Sequence, residues 1–282
     1  TVMHAFPTNF SGNVQVRATD KDASTGSFSQ LPIDVTAHVL RDDGFGNIDL
    51  IWGGTDLLDS VYVIAGGASL ALFVQFEGLA FVNRLDFIGP GVTGKIIIHG
   101  YGFPDVLVAE FATANAVEIH GGDGDDVLVG GFSGDVLHGD GGNDVLIGGT
   151  QFTDGADQLF GGEGKDTLLG HWGADTLDGG AGEDLLMGDR YLFADIPRAI
   201  LTIHNEWVSG RPYAERVTNI RGITNTGVNA DVLSTGVTIA EDGAVDTLIG
   251  GLGEMDWFLY TFGEDILGDV IETDEEETDT SL

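Results

Sequence analysis

Between residues 128 and 186 a leucine returns at one phase of a short period. Leu128, Leu137 and Leu146 are nine apart, a longer link follows, and the step of nine resumes through Leu159, Leu168, Leu177 and Leu186. A stretch rich in glycine and aspartate precedes each leucine. A helix would bring its apolar positions back at a spacing of about 3.6, so this pattern belongs to very short strands with one inward side chain, separated by turns. A period this short marks a stacked architecture in which each unit buries its leucine against its neighbours. Two units make one 18-residue coil with a turn on each side, and turns two units apart would stack at the strand spacing of about 4.8 Å. The expected fold class is all-β, a solenoid whose regular part covers residues 121–189.

Outside the array the pattern changes. Residues 1–38 alternate apolar and polar in "GNVQVRATD" and "LPIDVTAHV", which predicts a partial N-terminal β-sandwich-like segment, the last strands of an Ig- or cadherin-like unit. Residues 39–120 hold short apolar runs, "SVYVIAG", "LALFVQF", "KIIIHG" and "AVEIH", read as irregular coils of the same solenoid; Gly100–Val108, "GYGFPDVLV", echoes the unit. In residues 190–242, Ile196, Ile200, Ile203 and Trp207 recur at helical spacing, with Asp195 and Pro197 suited to a helix start, so a short helical insertion is expected. Arg190, Arg198, Arg211, Arg216 and Arg221 lie in it, placed either to pair with array carboxylates or to line a solvated helix face. The repeat resumes over residues 243–271, with Asp246, Asp256 and Asp265 as candidate acids and Trp257, Phe258 and Tyr260 expected to cover the open end of the stack. The acidic run 272–282 predicts a solvated tail.

Each array unit reads G-G-x-G-x-D-x-L-x. Glycines in the first four positions allow a sharp bend that exposes carbonyl oxygens, and the sixth-position aspartate adds formal charge. Oxygen donors of this kind suit Ca²⁺, which takes six to eight of them in tolerant geometry. Stacking predicts two ladders of acids. One holds Asp126, Asp144, Asp166 and Asp184; the other holds Asp135, Asp157 and Asp175. The turns would contribute Gly121, Asp123, Gly130, Gly139, Gly141, Asp154, Gly161, Glu163, Gly170 and Gly179 as further metal-binding positions. Unneutralised, stacked carboxylates repel, so metal binding and folding should be coupled. Three units depart from the pattern: His171 and Asp140 replace second-position glycines, and Ser133 replaces a fourth-position one; four extra residues around "TQFT" should bulge from one turn.

Charge narrows the partners. Asp and Glu number 46 against 11 Lys and Arg, a net charge of −35, which argues against binding nucleic acid or an anionic membrane through a basic face. Cations are the expected partners. There is no cysteine, so neither disulfides nor thiolate metal sites can brace the fold. No apolar run approaches the roughly 18 residues of a membrane span. The chain opens on Thr1 rather than Met, which predicts a fragment or processed product.

The array closely resembles the RTX, or hemolysin-type, calcium-binding repeats of secreted bacterial proteins. The resemblance implies a parallel β-roll, several Ca²⁺ ions held by turn carbonyls and the sixth-position aspartates, export by a type I secretion system, and folding outside the cell. "RPYAERVTNIRG" also resembles a segment found near the ends of very large bacterial surface proteins. Competing motifs fail. "GPGVTGKI" has Ile96 where a phosphate-binding loop needs Ser or Thr, "DKDASTG" has Thr25 where an EF-hand needs glycine, and neither a nucleophile elbow nor H-E-x-x-H occurs. His99, His120 and His138 fall one coil apart and are expected on an outer face, as solvated side chains or as a transition-metal ladder. The reading is a non-catalytic calcium-binding module of a secreted or cell-surface bacterial protein, whose partners are calcium and either other domains of one large protein or a cell surface. An adhesin region, or the secretion appendage of an extracellular hydrolase, are the alternatives.

Overall fold

A computed structural model describes residues 38–54, 59–66, 69–76, 82–89, 92–111, 115–150, 155–192, 196–221, 239–240, 242–251, 255–261, 265–268 and 276–279. The expected sandwich-like strands before residue 38, the "TQFT" bulge apart from Thr150, Asp154 and Asp195 lie outside these residues.

The chain winds between a nine-stranded and a ten-stranded sheet. Val117–Asp123, Val136–Gly141, Gln158–Glu163, Thr176–Ala181 and Thr247–Gly251 are successive parallel neighbours in the first. Val127–Val129, Val145–Ile147, Thr167–Leu169, Leu185–Met187 and Trp257–Tyr260 are successive parallel neighbours in the second. Leucine pairs with leucine across each ladder, Leu128 with Leu146 and Leu137 with Leu159, and register survives the extra residues because Leu146 pairs directly with Leu168. All seven leucines are fully buried between the sheets. The fold is an all-β parallel β-roll with two short helices.

The roll continues upstream through Ile48–Gly53 and Ile96–Gly102 in the first sheet and Asp59–Gly66 and Val106–Phe111 in the second. Two antiparallel features interrupt it: His38–Asp42 folds back on Ile48–Gly53, and Asp59–Gly66 opens a meander through Ser69–Phe76 and Val82–Gly89.

The array also buries more than its inner leucines. Val145, Ile147, Leu169, Leu185 and Met187 point out of the second sheet, yet all are buried, because the insertion covers them. A parallel sheet apolar on both faces needs cover on both. Helix α1, Ile196–Trp207, and helix α2, Tyr213–Ile220, supply it through Ile200, Ile203, Trp207, Val217 and Ile220. A two-stranded neck, Arg190–Tyr191 against Ile239–Ala240, joins the insertion to the roll.

Two expectations need correcting. Of the three aromatics expected to close the stack, Phe258 and Tyr260 do face the inner core, but Trp257 faces outward beneath the insertion, with the Arg221 guanidinium 5.1 Å from its ring centre. The acidic run is not wholly a solvated tail: Glu276–Asp279 pairs in parallel with Trp257–Tyr260, where the outer edge of that strand leaves ladder groups to be paired.

Candidate metal ladders

In each coil the turn ends on the sixth-position aspartate, and its two carboxylate oxygens do different work. In the first ladder Oδ1 of Asp144 accepts the Asp126 amide, Oδ1 of Asp166 accepts the Asp144 amide and Oδ1 of Asp184 accepts the Asp166 amide, each at 2.8 Å. The carboxylates therefore staple one coil to the next. In the second ladder Asp157 and Asp175 repeat the bond, accepting the Asp135 and Asp157 amides at 2.8 Å.

The other oxygen faces inward. Oδ2 of Asp126, Asp144 and Asp166 is buried without a hydrogen-bond partner. Each points at the first glycine of its own unit. A Cβ added to Gly121, Gly139 or Gly161 would overlap that oxygen and would also meet the carbonyl of the next coil's first glycine, Gly139, Gly161 or Gly179. Side by side, the aspartate Oδ2 and a neighbouring carbonyl oxygen thus share a space that only glycine leaves open. Gly148 repeats the arrangement in the second ladder with Asp157 Oδ2 and the Gly170 carbonyl, and Gly170 and Gly179 face Oδ2 of Asp175 and Asp184.

Burial makes these acids hard to ionise without a cation. It pushes the Asp126 carboxyl up to about 7, Asp144 to about 8 and Asp166 to about 9, and neighbouring carboxylates of the ladder add to the shift at Asp144 and Asp166. A buried, all-oxygen, anionic donor set is what a hard divalent cation neutralises. Among the described residues no group of three His, Cys, Asp or Glu side chains could hold a metal, so backbone carbonyls would complete the coordination.

Not every expected residue joins the cradles. Asp123 and Glu163, at the third position, are exposed. The third-position carbonyls of Gly141 and Glu163 instead accept the Gly124 and Gly142 amides at 2.7 and 2.8 Å. Asp135 differs from its neighbours, since its Oδ2 accepts the Gly131 amide within its own turn, the one carrying Ser133, and its carboxyl rises only to about 6. Gly130 still faces Asp135 Oδ2, which lies 2.7 Å from where a Cβ on that glycine would sit, beside the Gly148 carbonyl. Asp140 and His171 keep the left-handed backbone of the glycines they replace, at φ 71° and 81°.

The ladders run beyond the array. Asp105 Oδ1 accepts the Asp59 amide, and its buried, unpartnered Oδ2 faces Gly100, with burial raising its carboxyl to about 8. Asp59 faces Gly54 in the same manner, and Asp256 faces Gly250. Asp59 was invisible in the sequence because the turn before it lacks the glycine pattern; Gly148 was legible from the period alone.

Comparison with known families agrees with this geometry. Residues 120–151 and 153–186 match the family model of the RTX calcium-binding nonapeptide repeat (4 copies). Residues 120–186 carry RTX calcium-binding repeats. A search of curated proteins finds no match to the chain. The RTX segment coincides with the coils whose aspartates and glycines form the two ladders, and such repeats are a calcium-binding β-roll module of bacterial proteins.

On the outer face of the first sheet, His99, His120, His138 and Phe160 form a continuous stack. Ring centres are 4.8, 4.7 and 4.8 Å apart and planes lie 19°, 4° and 9° from parallel. The histidine rings lie face to face instead of converging on one point, and stacking accounts for their order without a metal.

Proposed function

We propose that the roll is a non-catalytic, calcium-dependent folding switch and rigid spacer in a secreted or cell-surface bacterial protein. The reading rests on one observation: a column of buried aspartate Oδ2 atoms, each facing a glycine cradle and, in most coils, a carbonyl from the next coil. Asp126, Asp144, Asp166 and Asp184 with the carbonyls of Gly139, Gly161 and Gly179 would hold ions in one ladder, and Asp135, Asp157 and Asp175 with those of Gly148 and Gly170 in the other. Bound calcium would supply the positive charge that lets these acids ionise while buried.

Calcium outside cells is roughly millimolar, enough to fill weak sites, whereas inside cells the sites would stay unfilled. Binding would then fold the roll only after export. A calcium titration followed by circular dichroism tests this: β signal should be low in chelator at neutral pH and rise cooperatively with calcium. A roll equally folded in chelator would defeat the switch.

A further inference from the structure

The helical insertion leaves the roll within a turn of the second ladder, after Gly188, and returns just before Asp246. Residues on both sides of it meet. Asp246 is fully buried, its Oδ1 accepts the Asp175 amide at 2.8 Å, and its amide donates to Asp265 Oδ1 at 3.0 Å. Its Oδ2 has no hydrogen-bond partner and lies 2.5 Å from where a Cβ on Gly188 would sit. The next residue, Asp189, stands where a second glycine would be; it is 2% exposed and its carboxylate accepts from Thr261 Oγ1 at 3.0 Å. Asp189, Asp242 and Asp265 all act on the Asp246 carboxyl, so four acids crowd the base of the neck.

We propose that Gly188, Asp189 and Asp246 form a further calcium site, outside the matched repeats, whose ion clasps the two ends of the insertion and so docks α1 and α2 on the roll. The inference rests on the calcium reading of the ladders, but it concerns residues that no repeat pattern joins, because the insertion separates them. Docking would also reach the first ladder, since Trp207 Nε1 donates to the Glu183 carbonyl at 2.7 Å and Tyr213 Oη donates to the Asp256 carbonyl at 3.2 Å. Both carbonyls belong to turns of ladder acids.

The test uses the full chain in saturating calcium. Bound calcium is counted by equilibrium dialysis, docking is read from tryptic cleavage after the buried Arg216, and the roll is monitored by circular dichroism. Asp246→Asn should lose one bound calcium per chain and expose Arg216, now 1% exposed, while the β signal stays. Gly188→Ala, which fills the same space from the other end of the insertion, should reproduce both changes. Asp157→Asn, within the matched repeats, serves as reference and should also lower the calcium count. A lowered count in Asp157→Asn with wild-type count or protection in both clasp variants overturns the clasp alone. An unchanged count in all three overturns the ladder reading and the clasp with it. Loss of the β signal in both clasp variants also overturns the clasp, because the pair would then be part of the roll's own scaffold.

Discussion

Asp166→Asn should stabilise the roll without calcium and weaken it with calcium. Asp166 is fully buried between Asp144 and Asp184, and burial, with those two neighbours, raises its carboxyl to about 9. At pH 7 it is ionised in the unfolded chain, near its ordinary 3.8, but holds a proton in the metal-free fold. Holding that proton three pH units above the unfolded value disfavours folding by on the order of 4 kcal/mol. Asparagine does not titrate, keeps an oxygen to accept the Asp144 amide now bonded at 2.8 Å, and turns an NH₂ toward the Gly179 carbonyl. In chelator at pH 7 the variant should therefore gain up to about 4 kcal/mol. In calcium it loses a charged ligand, and the affinity of that site should fall at least about tenfold, or roughly 1.4 kcal/mol. Circular dichroism in chelator at pH 7, where the variant should recover β signal that the wild type lacks, and urea denaturation in saturating calcium measure the two effects. A change of the same sign in the two conditions would rule out this role for the Asp166 charge.

Three further outcomes are expected. In chelator the roll should be most stable in acid and lose stability as pH rises from about 4 to 9. Asp105, Asp126, Asp144, Asp166 and Asp246 are all raised, to between about 7 and 9, so across that window the fold binds more protons than the unfolded chain; the β signal in chelator should be higher at pH 5 than at pH 8, and the reverse order would contradict the sign. Gly161→Ala should abolish calcium binding at one cradle, because its Cβ would overlap Asp166 Oδ2 and the Gly179 carbonyl, and the bound-calcium count should drop accordingly. Asp140→Gly should stabilise the calcium-loaded roll by up to about 1 kcal/mol, read as a higher urea midpoint, since the exposed Asp140 now holds φ at 71° in a position glycine adopts without penalty.

The period of the leucines carried most of the roll, because an 18-residue coil dictates which units pair, and Leu128–Leu146 and Leu137–Leu159 follow from it directly. The two acid columns were legible for the same reason. What the period does not carry is the division of labour within each carboxylate, since Oδ1 stapling and Oδ2 facing the cradle depend on backbone geometry between coils. Third-position acids such as Asp123 and Glu163 looked equivalent to ligands in composition, yet the turn directs them to solvent. Helical spacing in Ile196, Ile200, Ile203 and Trp207 revealed α1, but that its partner is the outer face of the second sheet required seeing Val145, Ile147 and Leu169 buried on that face. Of the five insertion arginines, Arg216 bonds an array carboxylate, Glu183, whereas Arg211 pairs with Glu206 and Glu215 inside the insertion, a choice no spacing encodes.

The most direct test of the ladders is a crystal structure of the calcium-loaded protein with anomalous scattering from calcium. Ions are expected in both turn columns, bonded at about 2.3–2.6 Å to Oδ2 of Asp144, Asp166 and Asp157 and to the carbonyls of Gly161, Gly179 and Gly170. Anomalous peaks confined to exposed acids such as Asp123 and Glu163, with those Oδ2 atoms bound to no ion, would contradict the ladders.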